Sequence, residues 1–341
     1  MYFCVRLGGW PPRANRSDSE LSRGFATTHG AKRHAYFVSS IAKHYTSTFA
    51  PLYLIARRLY DGSMIESLDY FATLVQQDAS FPLFEAAMAI EQDIDPDLDL
   101  VAAQAEVDQF ALKLKQRLPS DASQLQKLRV LNHFFYRELA FGGNVNNYYD
   151  PDNSYVRRVI ANRRGIPISL AVIFMELAQQ IGLDVKGISF PGHFLMKLSV
   201  QSGEIIIDPF NGASLSREEL EERLEPYLAQ QGRMKALPLS AYLEPAQPRD
   251  ILARMLRNLK ALFSDQQRWH SLLAVQKRLV IVLPDEAAEL RDRGLAYANL
   301  ECPQAALKDL EAYLFECPYA SDAAALKERL PELREAANKF N

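Results

Sequence analysis

Cysteine is nearly absent from this chain of 341 residues: Cys4, Cys302 and Cys317 are all it has, and none falls between residues 64 and 301. So sparse and odd a count builds no disulfide framework and suits a reducing compartment, which points to the cytoplasm. Cys302 and Cys317 lack the spacing of a zinc site, and the six histidines are scattered, so no metal and no cofactor is expected. No run of about 18 uninterrupted apolar residues occurs, which argues against a transmembrane helix. An excess of one charge is lacking too. The 39 Lys and Arg stand against 42 Asp and Glu, a net of −3, which does not suit a whole-protein nucleic-acid binder.

That balance hides an asymmetry. Residues 1–63 hold nine Lys and Arg against three acids, and the remainder holds 30 against 39. The basic leader is rich in Ser, Thr and His and has no clear period. Three readings fit it: a targeting leader, a disordered basic arm, or upstream sequence read from a start codon placed too early. The last is preferred, because Ser63-Met-Ile-Glu66 has the form of a capping box opening a helix at Met64.

From there the apolar residues recur about three and four apart through 67–78, 81–93, 98–118 and 122–139, which predicts helices. The stretch FGGNVNNYYDPDNSYVRRVIANRRG is dense in Gly, Asn and Asp and reads as a long loop with a short helix starting near Asn153. Pro167 suits the first turn of the next helix, IPISLAVIFMELAQQIG, which is apolar nearly all round and therefore central. The strands VKGIS, HFLMKLSV and EIIIDPF follow, with Gln201-Ser202-Gly203 as a hairpin turn. The fold class is α+β: helices first, then a small antiparallel sheet on the buried helix. Beyond Pro238 the chain reads all-α. Gly294, Tyr297, Ala306 and Pro318 sit at tetratricopeptide intervals, and Lys260, Phe263, Leu272 and Pro284 echo them one period of about 34 residues earlier. The expected division is a leader at 1–63, a core at 64–237, and repeats with a capping helix at 238–341.

A helix start, then His193, then Asp208 is the order of a cysteine-type acyl-transfer site. A thiol there gains from the helix N-terminus, a strand His is the base, and an Asp orients it. Ser169, in the first turn after Pro167, is the candidate nucleophile in place of a thiol; its alternative roles are to satisfy a free N–H of that turn or pack there, or to contact a substrate or ligand. His193 and Asp208 admit three roles: a structural pair, a binding pair in a cleft, or a catalytic pair. In the loop, Asn147, Tyr148 and Tyr149 are candidates to line a groove, the tyrosines offering apolar area plus one hydrogen bond each. Arg163 and Arg164, ahead of the helix N-terminus, are candidates to hold a carboxylate or phosphate.

The segments RRGIPISLAVIFMELAQQIGLDVKGISFPGHFLMKL and IIIDPF resemble the transglutaminase-like, papain-like core, and most of all its bacterial SirB-type subgroup, which joins that core to C-terminal tetratricopeptide repeats. The resemblance spans about residues 64–330 and excludes the leader. It implies that His193 and Asp208 are the superfamily's His and Asp. The position of the nucleophilic Cys falls on or beside Pro167, and it is not a cysteine. The expectation is a non-catalytic module that binds a protein or peptide through its repeats and cleft. The alternatives are a hydrolase or acyl transferase using His193 and Asp208 with Ser169 or a water, and an assembly component without a ligand. Substrate, partner and oligomeric state are not specified by the sequence.

Overall fold

Short polar side chains open two of the N-terminal helices. In the computed structural model, which describes residues 67–76, 81–201, 203–231 and 237–339, Asp99 accepts from the N–H groups of Val101 and Ala102 at 3.0 and 3.1 Å. Ser123 and Gln126 form a reciprocal capping box. The leader and the capping box expected at Ser63–Glu66 lie outside the described residues.

The N-terminal helices are α1 (Ser67–Leu74), α2 (Leu83–Ala89), α3 (Leu100–Lys115) and α4 (Gln124–His133). A π turn, Phe134–Glu138, extends α4 and turns Phe134 and Phe135 inward, both buried. The loop then contributes β1 (Gly142–Gly143), a 3-10 turn (Pro151–Asn153) and α5 (Val156–Asn162). The short helix thus starts at Val156, past the expected Asn153. Arg163 ends it in the left-handed region, φ 58°, with its guanidinium 4.8 Å from the ring centroids of both Phe110 and Phe141. The next two residues form β2 (Arg164–Gly165), parallel to β1.

Pro167 opens α6 (Pro167–Gln180), whose residues from Pro167 to Phe174 are all buried. It is the central helix that the apolar run predicted. Over it lies an antiparallel sheet of β3 (Val185–Ile188), β4 (Leu195–Val200), β5 (Gly203–Ile207) and β6 (Ser214–Leu215), paired in chain order. Its other face is closed by α7 (Arg217–Gln231) and α8 (Leu239–Tyr242), where Phe190, Leu195 and Ile206 meet Leu220, Leu224 and Leu243. One expectation needs correction. His193 was placed on a strand, yet it lies in the turn just ahead of β4, and Asp208 lies one residue past β5. Both polar side chains therefore sit at the sheet's end, where the ladder no longer fixes them between neighbouring strands.

Five helices follow: α9 (Pro248–Asp265), α10 (Trp269–Val282), α11 (Ala287–Asn299), α12 (Pro303–Glu316) and α13 (Ala323–Lys339). They form two helical hairpins and a cap, as the 34-residue period predicts. A Cβ on Gly294 would come within 2.9 Å of Leu310, so only glycine lets α11 and α12 approach this closely. The first repeat helix also serves the core. α9 packs on α2 and α6, and just ahead of it the Ala246 N–H donates to Gly187 O at 2.8 Å. Arg278 of α10, fully buried, holds Asp93 through two bonds of 2.6 and 2.8 Å and stacks on Phe71. Ser63–Asn341 accordingly form one compact unit.

Candidate functional site

Asp208 is 4 % exposed and fully matched. Its Oδ1 accepts from the Phe210 N–H at 2.9 Å and lies 2.9 Å from His193 Nε2; its Oδ2 accepts from Arg223 Nη1 at 2.9 Å. Burial pushes the carboxyl up, but His193, the Phe210 N–H and Arg223 together outweigh burial and hold its pKa at about 2. A carboxylate can only accept, so Nε2 carries the proton and donates. The lone pair of a neutral His193 is then on Nδ1, which has no hydrogen-bond partner among the described residues. The His193 side chain remains 22 % exposed. Asp208 thus fixes the orientation of the imidazole from behind.

Two arginines absent from the sequence-based candidates complete this surroundings. Arg223, on α7, neutralises Asp208. Arg254, on α9, donates from Nη1 to Phe190 O at 3.1 Å and from Nη2 to His193 O at 2.9 Å, so the repeat module's first helix fastens the His193 turn. Tyr136 braces the Asp208 turn from the other side, its hydroxyl donating to Pro209 O at 2.9 Å. Burial first, and the Asp208 charge second, push that phenol well above its usual range, which keeps it a donor.

Ser169 stands differently. It is 0 % exposed, and its hydroxyl lies 2.6 Å from Asn153 O and 3.0 Å from Ile166 O. Both groups are acceptors, so the hydroxyl donates to backbone carbonyls; the expected role of satisfying an N–H is replaced by the converse bond. That bond ties the 3-10 turn of the loop to the start of α6.

The loop candidates separate. Asn147 closes an Asx turn with Asn144 and donates to Asp150 Oδ2 at 2.9 Å. Tyr148 and Tyr149 are 44 % and 53 % exposed and meet edge to face. Arg164 turns back on the chain, its Nη1 donating to Ala140 O at 2.6 Å and Arg163 O at 2.8 Å. It lines a cavity of about 390 Å³ with Tyr136, Gly142, Gly143, Val145 and Asn146, among others. The carbonyl of Phe210 accepts from the Gly143 N–H at 2.9 Å, which puts this cavity beside the Asp208–Phe210 turn. A Cβ on Gly143 would sit 2.0 Å from the Phe210 ring, so glycine is required there. Among the described residues no group of His, Cys, Asp and Glu is placed to hold a metal ion, and no helix is long and apolar enough to cross a membrane.

Comparison with known proteins agrees with this architecture. Residues 102–257 match the transglutaminase-like superfamily and residues 259–331 the tetratricopeptide repeat. The junction falls inside α9. A UPF0162 protein of Xylella fastidiosa strain Temecula1 is 37% identical over 257 residues, covering 75% of this chain and 91% of the relative. A UPF0162 protein of Vibrio cholerae is 30% identical over 253 residues, 74% of this chain and 92% of the relative. Protein SirB1 of Salmonella typhimurium is 30% identical over 203 residues, 59% of this chain and 73% of that protein. No solved structure matches the chain.

Proposed function

This chain belongs to the UPF0162 family of transglutaminase-like proteins with tetratricopeptide repeats, and from that premise we propose that it is a non-catalytic, cytoplasmic module that binds a protein or peptide through its repeats and the His193 cleft. The observation that carries this reading is Ser169. The superfamily's nucleophile belongs at the start of α6, where this chain has Pro167. The neighbouring hydroxyl is fully buried and donates to Asn153 O. A hydroxyl held that way presents neither its oxygen to a substrate nor its proton to a base. Cys302 and Cys317 stand at the two ends of α12, in the repeats. Tetratricopeptide arrays make concave surfaces for partners, and the exposed Tyr148 and Tyr149 add aromatic area at the loop.

A second reading rests on the open Nδ1 of His193, which is oriented as a general base for a water. The deciding experiment treats the full chain with a serine-directed fluorophosphonate and, separately, with an activated ester. The folded protein is expected to take no label and to turn over no ester above buffer. Labelling abolished by both Ser169→Ala and His193→Ala would overturn the proposal in favour of a serine enzyme. Ester turnover lost in His193→Gln would overturn it in favour of the water route.

A further inference from the structure

The charges around the His193 turn do not cancel. Asp208 and Arg223 neutralise each other at 2.9 Å. Arg254 is left over. Its two hydrogen bonds, to Phe190 O and His193 O, are to neutral carbonyls; the Phe194 ring lies 5.6 Å away and the Tyr148 hydroxyl is also near. Among the described residues no carboxylate pairs with it. Three arginines elsewhere do find one: Arg257 holds Glu289, Arg278 holds Asp93 and Arg293 holds Asp309. Removing a cation from water without an anion is costly, and the cost is visible here: burial pushes the Arg254 guanidinium down to about 10, against the opposing influence of the Tyr148 hydroxyl.

We propose that Arg254 anchors a carboxylate carried by the ligand of the His193 cleft. The carbonyls of Phe190 and His193 take two of the five N–H groups of the guanidinium and hold its plane still. The remaining N–H groups form a planar fork, the geometry that reads a carboxylate with two parallel bonds. A single uncancelled positive charge matches a monoanion; a phosphate dianion calls for a second cation. Gly192, in the same turn as His193, is exposed with nothing within 4 Å of a Cβ position, and Tyr148, whose hydroxyl bears on Arg254, is 44 % exposed. The ligand carboxylate is either a chain terminus or an acidic side chain. The inference rests on the binding reading of the cleft and names the chemistry of what enters it.

The test uses the full chain and three peptides: acetyl-Ala-Ala-Ala with a free C-terminal carboxylate, the same peptide amidated, and amidated acetyl-Ala-Asp-Ala. Binding is followed by the imidazole resonances of His193 in histidine-labelled protein, assigned with His193→Gln. At least one acidic peptide is expected to bind about tenfold more tightly than the neutral amide, the scale of a charge-assisted hydrogen bond. Whichever acidic peptide binds more tightly identifies the source. Arg254→Met should erase that preference, and Arg254→Lys should reduce it. Equal binding of all three peptides by the wild type, or a preference that survives in Arg254→Met, would overturn the carboxylate assignment while leaving the binding reading intact. Absence of any shift with all three would remove the binding reading of the cleft and this assignment together.

Discussion

The repeat module and the His193 turn treat buried charge in opposite ways. In the repeats each buried acid is matched oxygen for oxygen. Glu289 takes Arg257 on Oε1 and Lys260 on Oε2, and Asp309 takes Arg293 on both oxygens. At the junction, Arg278 does the same for Asp93. At the His193 turn the acid is matched as fully, but among the described residues His193 Nδ1 has no hydrogen-bond partner and Arg254 meets neutral carbonyls and no carboxylate. Closed pairs hold helices together; open valences beside a held carboxylate are what a ligand site has. The difference separates structural polarity from available polarity within one compact unit.

The comparison breaks most visibly at the junction. Arg278→Ala leaves Asp93 buried without its partner and should cost about 3–5 kcal/mol. Urea unfolding of the purified protein measures it, and a cost under about 1 kcal/mol would mean that the pair is not structural. Next in size is Asp208. Its folded pKa, about 2, lies below the unfolded carboxyl value near 3.9. The folded state therefore favours the ionised form, and the contribution is complete above about pH 4. It is lost as the pH falls through 2. About 2 kcal/mol of stability should disappear across that window in the wild type and not in Asp208→Asn. Asp93 runs the other way, since burial raises its carboxyl despite Arg278, so Asp93→Asn should steepen the acid loss. Smallest is His193→Ala. Asp208 keeps Arg223 and the Phe210 N–H, so the loss should stay under about 1 kcal/mol by thermal or urea unfolding. A loss of the Arg278 scale would make His193 a structural residue and close the contrast.

Much of this was readable in the chain itself. The three-and-four spacing announced the helices, the short apolar runs either side of Gln201-Ser202-Gly203 announced the hairpin, and the 34-residue period announced the repeats. The π turn after His133 and the parallel pair of Gly142–Gly143 with Arg164–Gly165 were not readable, because elements this short have no period. The helix α7 escaped although its signal was present: Ser216 and Glu219 form a capping box, and Leu220, Leu224, Tyr227 and Leu228 keep helical spacing beneath a dense coat of charge. His193 and Asp208 were legible as a pair. Their escorts were not. Arg223 comes 15 residues after Asp208 and Arg254 61 residues after His193, and only the tertiary fold brings either to the site. The one local hint for Arg254 is its place among Ile251, Leu252, Met255 and Leu256, all buried.

α9 carries a consequence for inheritance. Its first turns wall the core over Gly187 and reach His193, and the same unbroken helix begins the first repeat. A recombination event that exchanged the repeats together with the whole of α9 would take Arg254 with them and open the core beneath. A protease cutting there would yield two incomplete fragments. The two halves are welded rather than strung together, and a lineage that keeps one is constrained to keep the other.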